Sequence, residues 1–202
     1  MNSLYYKKLA LSILKDNVKL ILNNEWVELQ DAVYNHPSNL NTSDFHNVWN
    51  IMINILLSDE LGYTFEYMLE NMEKVPESFF FEIDPDVVNI PECLTIPGHI
   101  KSIKCFGFYK IPGLKEIIIE EGITTFPCSA FAFLNDLKKI TFPTSMNEFV
   151  SNVGLAATLD WINFDVSSGI EVYISNKSEL AKKVKADPSR WYKDNNVKII
   201  YY

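Results

Sequence analysis

The residues able to do chemistry are few and scattered. Cys93, Cys105 and Cys128 form no Cys-x-x-Cys pair, so neither a zinc ribbon nor a redox dithiol is indicated. Cys105 and Cys128 do occupy equivalent points of an internal repeat, which on adjacent coils would set their backbones about 5 Å apart. A disulfide could bridge that span. A small apolar side chain at a crowded inner position explains the pair as well, and free thiols are the expected state in a reducing compartment. His36, His46 and His99 fall in a loop, at a helix start and in a repeat turn. None has the spacing of a metal ligand or of a catalytic pair. Asp84-x-Asp86 lacks the glycine and terminal glutamate of a calcium loop and reads as a turn. No nucleophile elbow, phosphate loop or dinucleotide fingerprint occurs. No catalytic residue, cofactor or metal is therefore expected, and the chain reads as a non-enzyme.

Charge is the next chemical feature. The net charge of -8 over 202 residues is unevenly placed. Residues 1–93 hold 5 Lys/Arg against 15 Asp/Glu, and residues 94–202 hold 13 against 11. Between Asp59 and Glu92 ten acids meet one lysine, Lys74. A direct nucleic-acid binder needs the opposite sign. Most of this run is expected to be a solvated helix face. The sharper alternative is a surface imitating nucleic-acid phosphates through the helical half, where only Glu66, Glu70 and Glu73 fall in line.

The elements that must position these residues are set by a repeat. With residues 94–116 written above 117–139, the apolar positions form columns: Ile96 over Ile119, Ile100 over Ile123, Ile103 over Phe126, Phe108 over Phe131 and Leu114 over Leu137. A third, looser copy begins at Ile140 and closes with Leu159-x-x-Ile162-x-Phe164. Repeats this short cannot bury their own apolar face, so copies stack into a solenoid. Each Leu-x-x-Ile-x-Ile/Phe reads as a short strand with two inward side chains.

"LTIPGHIKSIKCFGFYKIPGLKE" and "IIIEEGITTFPCSAFAFLNDLKK" resemble the BspA-like leucine-rich repeats, with about three copies over residues 94–164. No asparagine stands at the turn position of the general leucine-rich motif, so an asparagine ladder is not expected. The resemblance implies a protein–protein interaction module without naming its partner. A short helical head fused to such repeats also resembles accessory proteins of bacteriophages and low-GC bacteria, which points to a viral accessory protein that binds and blocks a host factor.

The expected fold class is α+β, an N-terminal helical bundle (residues 1–75), a short leucine-rich-repeat β-solenoid (76–164) and an α/β C-terminal cap (165–202). Four helices are predicted in the bundle. The first runs from Ser3 to about Leu22 and is apolar on enough sides to be central. Asn24 is placed to cap a second and Thr42 or Ser43 to open a third through Leu57. Ser58 or Asp59 would open the fourth, with Leu61, Phe65, Met68 and Met72 inward. "KVPESFFFEIDPDVVNIPEC" reads as an irregular first coil that the helices cover. "GIEVYISN", a helix begun by Ser178 and "NVKIIYY" make a strand–helix–strand terminus.

Strand alternation then picks out an outward face. If Ile117, Ile140 and Ile162 point inward, then Glu116, Lys139 and Trp161 point outward, as do Ile118, Thr141 and Asn163. These six are the candidate partner-binding residues. Trp161 is either an exposed anchor or is covered by the C-terminal cap or the bundle. No apolar run is long enough to span a bilayer, and the six-residue apolar run before Lys15 is too short for the core of an export signal. A cytoplasmic location is expected, the host cytoplasm if the protein is viral.

Overall fold

The computed structural model describes residues 3–150, 156–157, 169–186 and 197–202. The head is helical: α1 (Ser3–Asp16), α2 (Val18–Leu22), α3 (Trp26–Tyr34), α4 (Thr42–Leu57) and α5 (Phe65–Glu70). The middle of the head is α4, not α1. Asn41 caps α4 by accepting from the Asp44 backbone N–H at 3.0 Å, and Phe45, Trp49, Met52 and Leu56 follow at helical spacing into the core.

Three expectations for the head are corrected. The first helix breaks at Asn17, whose side chain donates to the Ile13 carbonyl at 2.8 Å and so competes with the helix ladder. It lies at the periphery, burying Ala10, Ile13 and Leu14 while Leu4, Leu11 and Val18 stay exposed. Asn24 takes a left-handed φ of 59° and leaves the capping position to Glu25. The last helix starts only after a turn through Gly62, with Thr64 accepting from the Tyr67 N–H at 3.1 Å. Leu61 is consequently exposed, while Phe65, Met68 and Met72 are buried as their spacing requires.

The solenoid follows. Its first coil contains β1 (Lys74–Val75), β2 (Phe80–Phe81) and β3 (Cys93–Ile96), and its second β4 (Ser102–Ile103), β5 (Phe108–Tyr109) and β6 (Glu116–Ile119). The third has β7 (Thr125–Pro127), a 3-10 turn at Cys128–Phe131 and β8 (Lys139–Phe142). Then come β9 (Glu148–Val150), β10 (Ala156–Ala157), β11 (Ile170–Ile174), α6 (Glu179–Ala186) and β12 (Val197–Tyr201). The main sheet is parallel throughout, in the order β3-β6-β8-β11-β12. On the other sides of the coil β1 pairs with β4, β2 with β5 and β7 with β9, all parallel. The junction therefore does form a first coil.

Register follows the sequence columns. Ile96 lies beside Ile119, and Ile117 beside Ile140. Inside, Phe80, Phe108 and Phe131 stack with centroids 5.3 Å apart at each step, every ring fully buried. The neighbour of β8 corrects one expectation. Val172, not Ile162, stands beside Ile140, so the strand read as part of the cap completes the sheet. From β6 to β8 the register advances 23 residues, from β8 to β11 it advances 32, and the insertion hides the match from a fixed-period reading.

The head serves as the cap that a raw solenoid end requires. In β2 and its flanks the even-numbered N–H groups, of Ser78, Phe80 and Glu82, donate to Cys105, Gly107 and Tyr109 of the next coil. The odd-numbered carbonyls point the other way and would be orphaned. Three head side chains take them in turn. Gln30 donates to Glu77 O at 3.0 Å, the Trp49 indole to Phe79 O at 2.9 Å, and Asn50 to Phe81 O at 2.8 Å. Side chains thus replace the missing strand, and one continuous core runs from α1 into the coils. Trp49→Phe keeps an aromatic ring, smaller than the indole, and orphans a buried carbonyl. It is expected to cost about 1–3 kcal/mol in a urea melt.

The far end closes as strand–helix–strand. Ser178 is fully buried, and its hydroxyl accepts from the Ala181 N–H at 3.0 Å while donating to Ser175 O at 2.8 Å. That pair of hydrogen bonds fixes the start of α6, and β12 runs parallel to β11.

Candidate protein-binding surface

Alternation along the parallel strands leaves two outward rows on the main sheet. The first runs Cys93, Glu116, Lys139, Glu171, Lys198, one residue per strand. Its charges alternate and pair sideways: Lys139 with Glu116 at 2.6 Å and Lys198 with Glu171 at 2.7 Å. These hydrogen bonds raise the pKa of both lysines, and Lys198 lowers that of Glu171. Burial, followed by the negative charge of Glu116, pushes the Cys93 thiol up, away from the reactive thiolate.

The second row runs Thr95, Ile118, Thr141, Tyr173, Ile200 and contains no charge. All five side chains are half-buried. The Tyr173 hydroxyl donates to Glu171 at 3.0 Å, and the Lys139 ammonium sits 4.9 Å from the centre of its ring. The result is an uncharged stripe beside a ladder of neutralised charges. Glu116, Ile118, Lys139 and Thr141 lie on this outward face. Trp161 and Asn163 fall outside the described residues, and the places beside Lys139 and Thr141 belong to Glu171 and Tyr173. Those two residues and Ile200 carry the same in–out alternation as β6 and β8, which was the available signal in "IEVYI" and "VKIIY".

The same coils are stitched by acids reaching one coil onward. Glu73 pairs with Lys101 at 2.6 Å, Glu82 with Lys110 at 3.0 Å, and Glu92 with Lys115. The charge imbalance between the two halves of the chain is thus partly an arrangement of acid on one coil and lysine on the next. Each pair is exposed and contributes little alone. The acidic row is correspondingly short. Glu66 and Glu70 are exposed and one turn apart on α5, whereas Glu73 lies beyond the helix and its carboxyl is held low by Lys101.

Turn carboxylates act in a similar way. The Glu121 carboxylate accepts from the backbone N–H groups of Thr144 at 2.7 Å and Ser145 at 2.9 Å. The Thr144 bond is the main cause of its lowered pKa. A depressed folded-state pKa contributes stability that is complete above the unfolded value, about 4.3, and is lost as pH falls through the folded one. The melting temperature should therefore drop on acidification from about pH 5 to 3, and drop less steeply in Glu121→Gln. Glu73 and Glu171, lowered by their lysines, keep part of the slope in that variant.

The remaining candidates do not converge. Cys105 is a half-buried free thiol and Cys93 an exposed one. The His46 ring stacks on Phe81 at 5.0 Å, His36 contacts Ser38 at 3.0 Å, and His99 is exposed in a turn. Among the described residues no group of three or more His, Cys, Asp or Glu is placed to hold a metal ion. No helix among them is long and apolar enough to cross a membrane.

A family model described as BspA type leucine rich repeat region, with six copies, matches residues 70–176. This chain belongs to that family. The BspA-type match begins at the end of α5 and runs through β11, so it takes in both the irregular first coil and the strand beyond the insertion. Its six copies exceed the count of about three read from the sequence, two regular and one looser. No curated protein and no solved structure matches the chain. A repeat solenoid of this type is a protein-interaction module.

Proposed function

We propose that the chain is a non-catalytic scaffold that binds a protein across the outward face of its main sheet. The uncharged row Thr95, Ile118, Thr141, Tyr173, Ile200 carries this reading. An uncharged stripe beside charges that satisfy one another is the layout of an interface centre and rim. Ile118 and Tyr173 are the anchors, with Thr141 between them and Glu116 and Lys139 along the border. The narrower part of the proposal is an accessory protein of viral type that occupies and blocks a host factor in the host cytoplasm. The joining of a short helical head to a few such repeats supports it, and the free thiols of Cys93 and Cys105 fit a reducing compartment.

The test compares full-length parent with Ile118→Ser/Tyr173→Ser and with Glu66→Gln/Glu70→Gln in capture from a native lysate. A protein retained by the parent and lost by the sheet-face variant, at unchanged melting temperature, is the expected result. An aromatic or aliphatic anchor at an interface centre is worth about 2 kcal/mol or more on truncation. Capture that survives the sheet-face change but fails in the glutamine variant would instead assign binding to the acids of the helical half.

A further inference from the structure

The first coil is longer than the next. Phe80 lies beside Phe108, a step of 28 residues, while Cys93 lies beside Glu116, a step of 23. The five additional residues fall between β2 and β3, in a loop around Asp84 and Val87. Insertions in repeat proteins gather on one face, which is often the one that binds. This loop is pinned to the head. The Asp84 N–H donates to the Asn54 side chain at 2.7 Å, and Val88 forms an antiparallel bridge with Ser58.

Where loop and head meet, a groove of about 660 Å³ opens between α1 and α4. Ser3, Lys7 and Leu11 line one wall, one helical turn apart, and Ile51 and Ile55 line the other. Val87 closes the end. Leu11 is 48% exposed and Val87 50%, too open for core residues of a folded head. The α1 wall spans about 12 Å, the rise of eight helical residues. Around the rim stand Asp59, Glu60 and Asp84. Among the described residues these three have no lysine or arginine partner, unlike the acids that bridge the coils. Among the described residues Lys7 is the one cation lining the groove.

We infer that this groove docks a basic amphipathic helix of a protein partner. Apolar residues one turn apart on that helix would sit on Leu11, Ile51, Ile55 and Val87, and its lysines or arginines would meet Asp59, Glu60 and Asp84. The loop that carries Val87 is already pinned to the head before binding, so little ordering is needed on this side. The site lies on the head and its loop rather than on the sheet face. It stands whether or not the sheet-face reading does.

The test uses the full-length protein and a fluorescein-labelled peptide of leucine and lysine, about 14 residues long, with leucines at helical spacing. Binding is followed by anisotropy. The expected result is saturable binding that weakens at least about tenfold, or 1.4 kcal/mol, in Leu11→Ser/Val87→Ser. Asp59→Asn/Glu60→Gln should bind more weakly and with less dependence on salt. Glu66→Gln/Glu70→Gln removes the same charge elsewhere and should leave affinity unchanged. No binding to the parent, equal binding to Leu11→Ser/Val87→Ser, or equal weakening by the glutamine pair on α5 would overturn the assignment. So would a parent that sediments as a dimer and becomes monomeric in Leu11→Ser/Val87→Ser, because a second copy would then be the occupant. If the double variant melts lower, Val87→Ser alone, on the surface loop, gives the same reading.

Discussion

Gly98→Ala should lower stability by about 3 kcal/mol or more, while Gly113→Ala costs about 1 kcal/mol. The two glycines fail for different physical reasons. At Gly98 a Cβ would stand 1.8 Å from the Glu121 carbonyl oxygen and 2.9 Å from its carbon, both backbone atoms of the adjacent coil. No side chain can turn away, so the coils must separate at that corner. Gly122 approaches from the other side, where a Cβ would meet the Gly98 carbonyl oxygen at 2.4 Å. The stacking distance at this turn is therefore set by backbone lying on backbone. The bonds around it would be strained together: Gly98 N–H to Glu120 at 3.2 Å, Gly122 N–H to Ser145 at 3.0 Å, and the Glu121 carboxylate to Thr144 and Ser145. Gly113 has a φ of +79° but nothing within 4 Å of an added Cβ, so alanine there meets only the left-handed penalty. Urea melts of both variants check the contrast. Equal, small losses would mean that the corner yields and that close approach does not fix the coil spacing.

The legibility of this fold in its sequence depended on whether a signal repeats. The columns Ile96/Ile119 and Phe108/Phe131 could be read because inward side chains recur at a fixed step, and both pairs meet in the structure. The irregular first coil was recognised, but where the step broke after β8 the next strand was misplaced. Five residues in the first coil and nine before β11 leave inside and outside unchanged but shift the count. The strand carrying Glu171 and Tyr173 was consequently read as a cap and not as part of the binding face. In the head, apolar spacing along α4 was sufficient, since one buried stripe determines its orientation. It misled for α1, whose Leu4 and Leu11 have the same spacing yet face outward. Periodicity shows that a helix has an apolar side. It does not show whether this chain or another molecule covers that side. The groove beside Leu11 was invisible for that reason, and also because its other wall comes from α4 and its end from the inserted loop.

Phe108→Ala should be among the most damaging single truncations in the solenoid, at about 3–5 kcal/mol. Its ring is fully buried and sandwiched, 5.3 Å from Phe80 at 22° and 5.3 Å from Phe131 at 26°. Phe80 in turn meets Phe79 and Phe65, the latter on α5, both at 4.9 Å. Phe79 meets Trp49 of α4 at 5.2 Å. The stack is thus continuous from the head to the third coil, and removing its middle ring opens a cavity between two coils that cannot close without changing their spacing. A domain stability of about 5–15 kcal/mol leaves room for one such loss, with a melting transition well below the parent's. Phe131→Ala should fall in the same range, being buried on the next coil. The stacking contribution itself is separable. In a double-mutant cycle of Phe80→Leu with Phe108→Leu, where leucine refills much of each volume, the coupling should be about 0.5–1.5 kcal/mol. A coupling near zero would reduce the ladder to ordinary apolar filling. A Phe108→Ala melt within a degree or two of the parent would contradict the coil register itself, because that register is what puts three phenylalanines in one line.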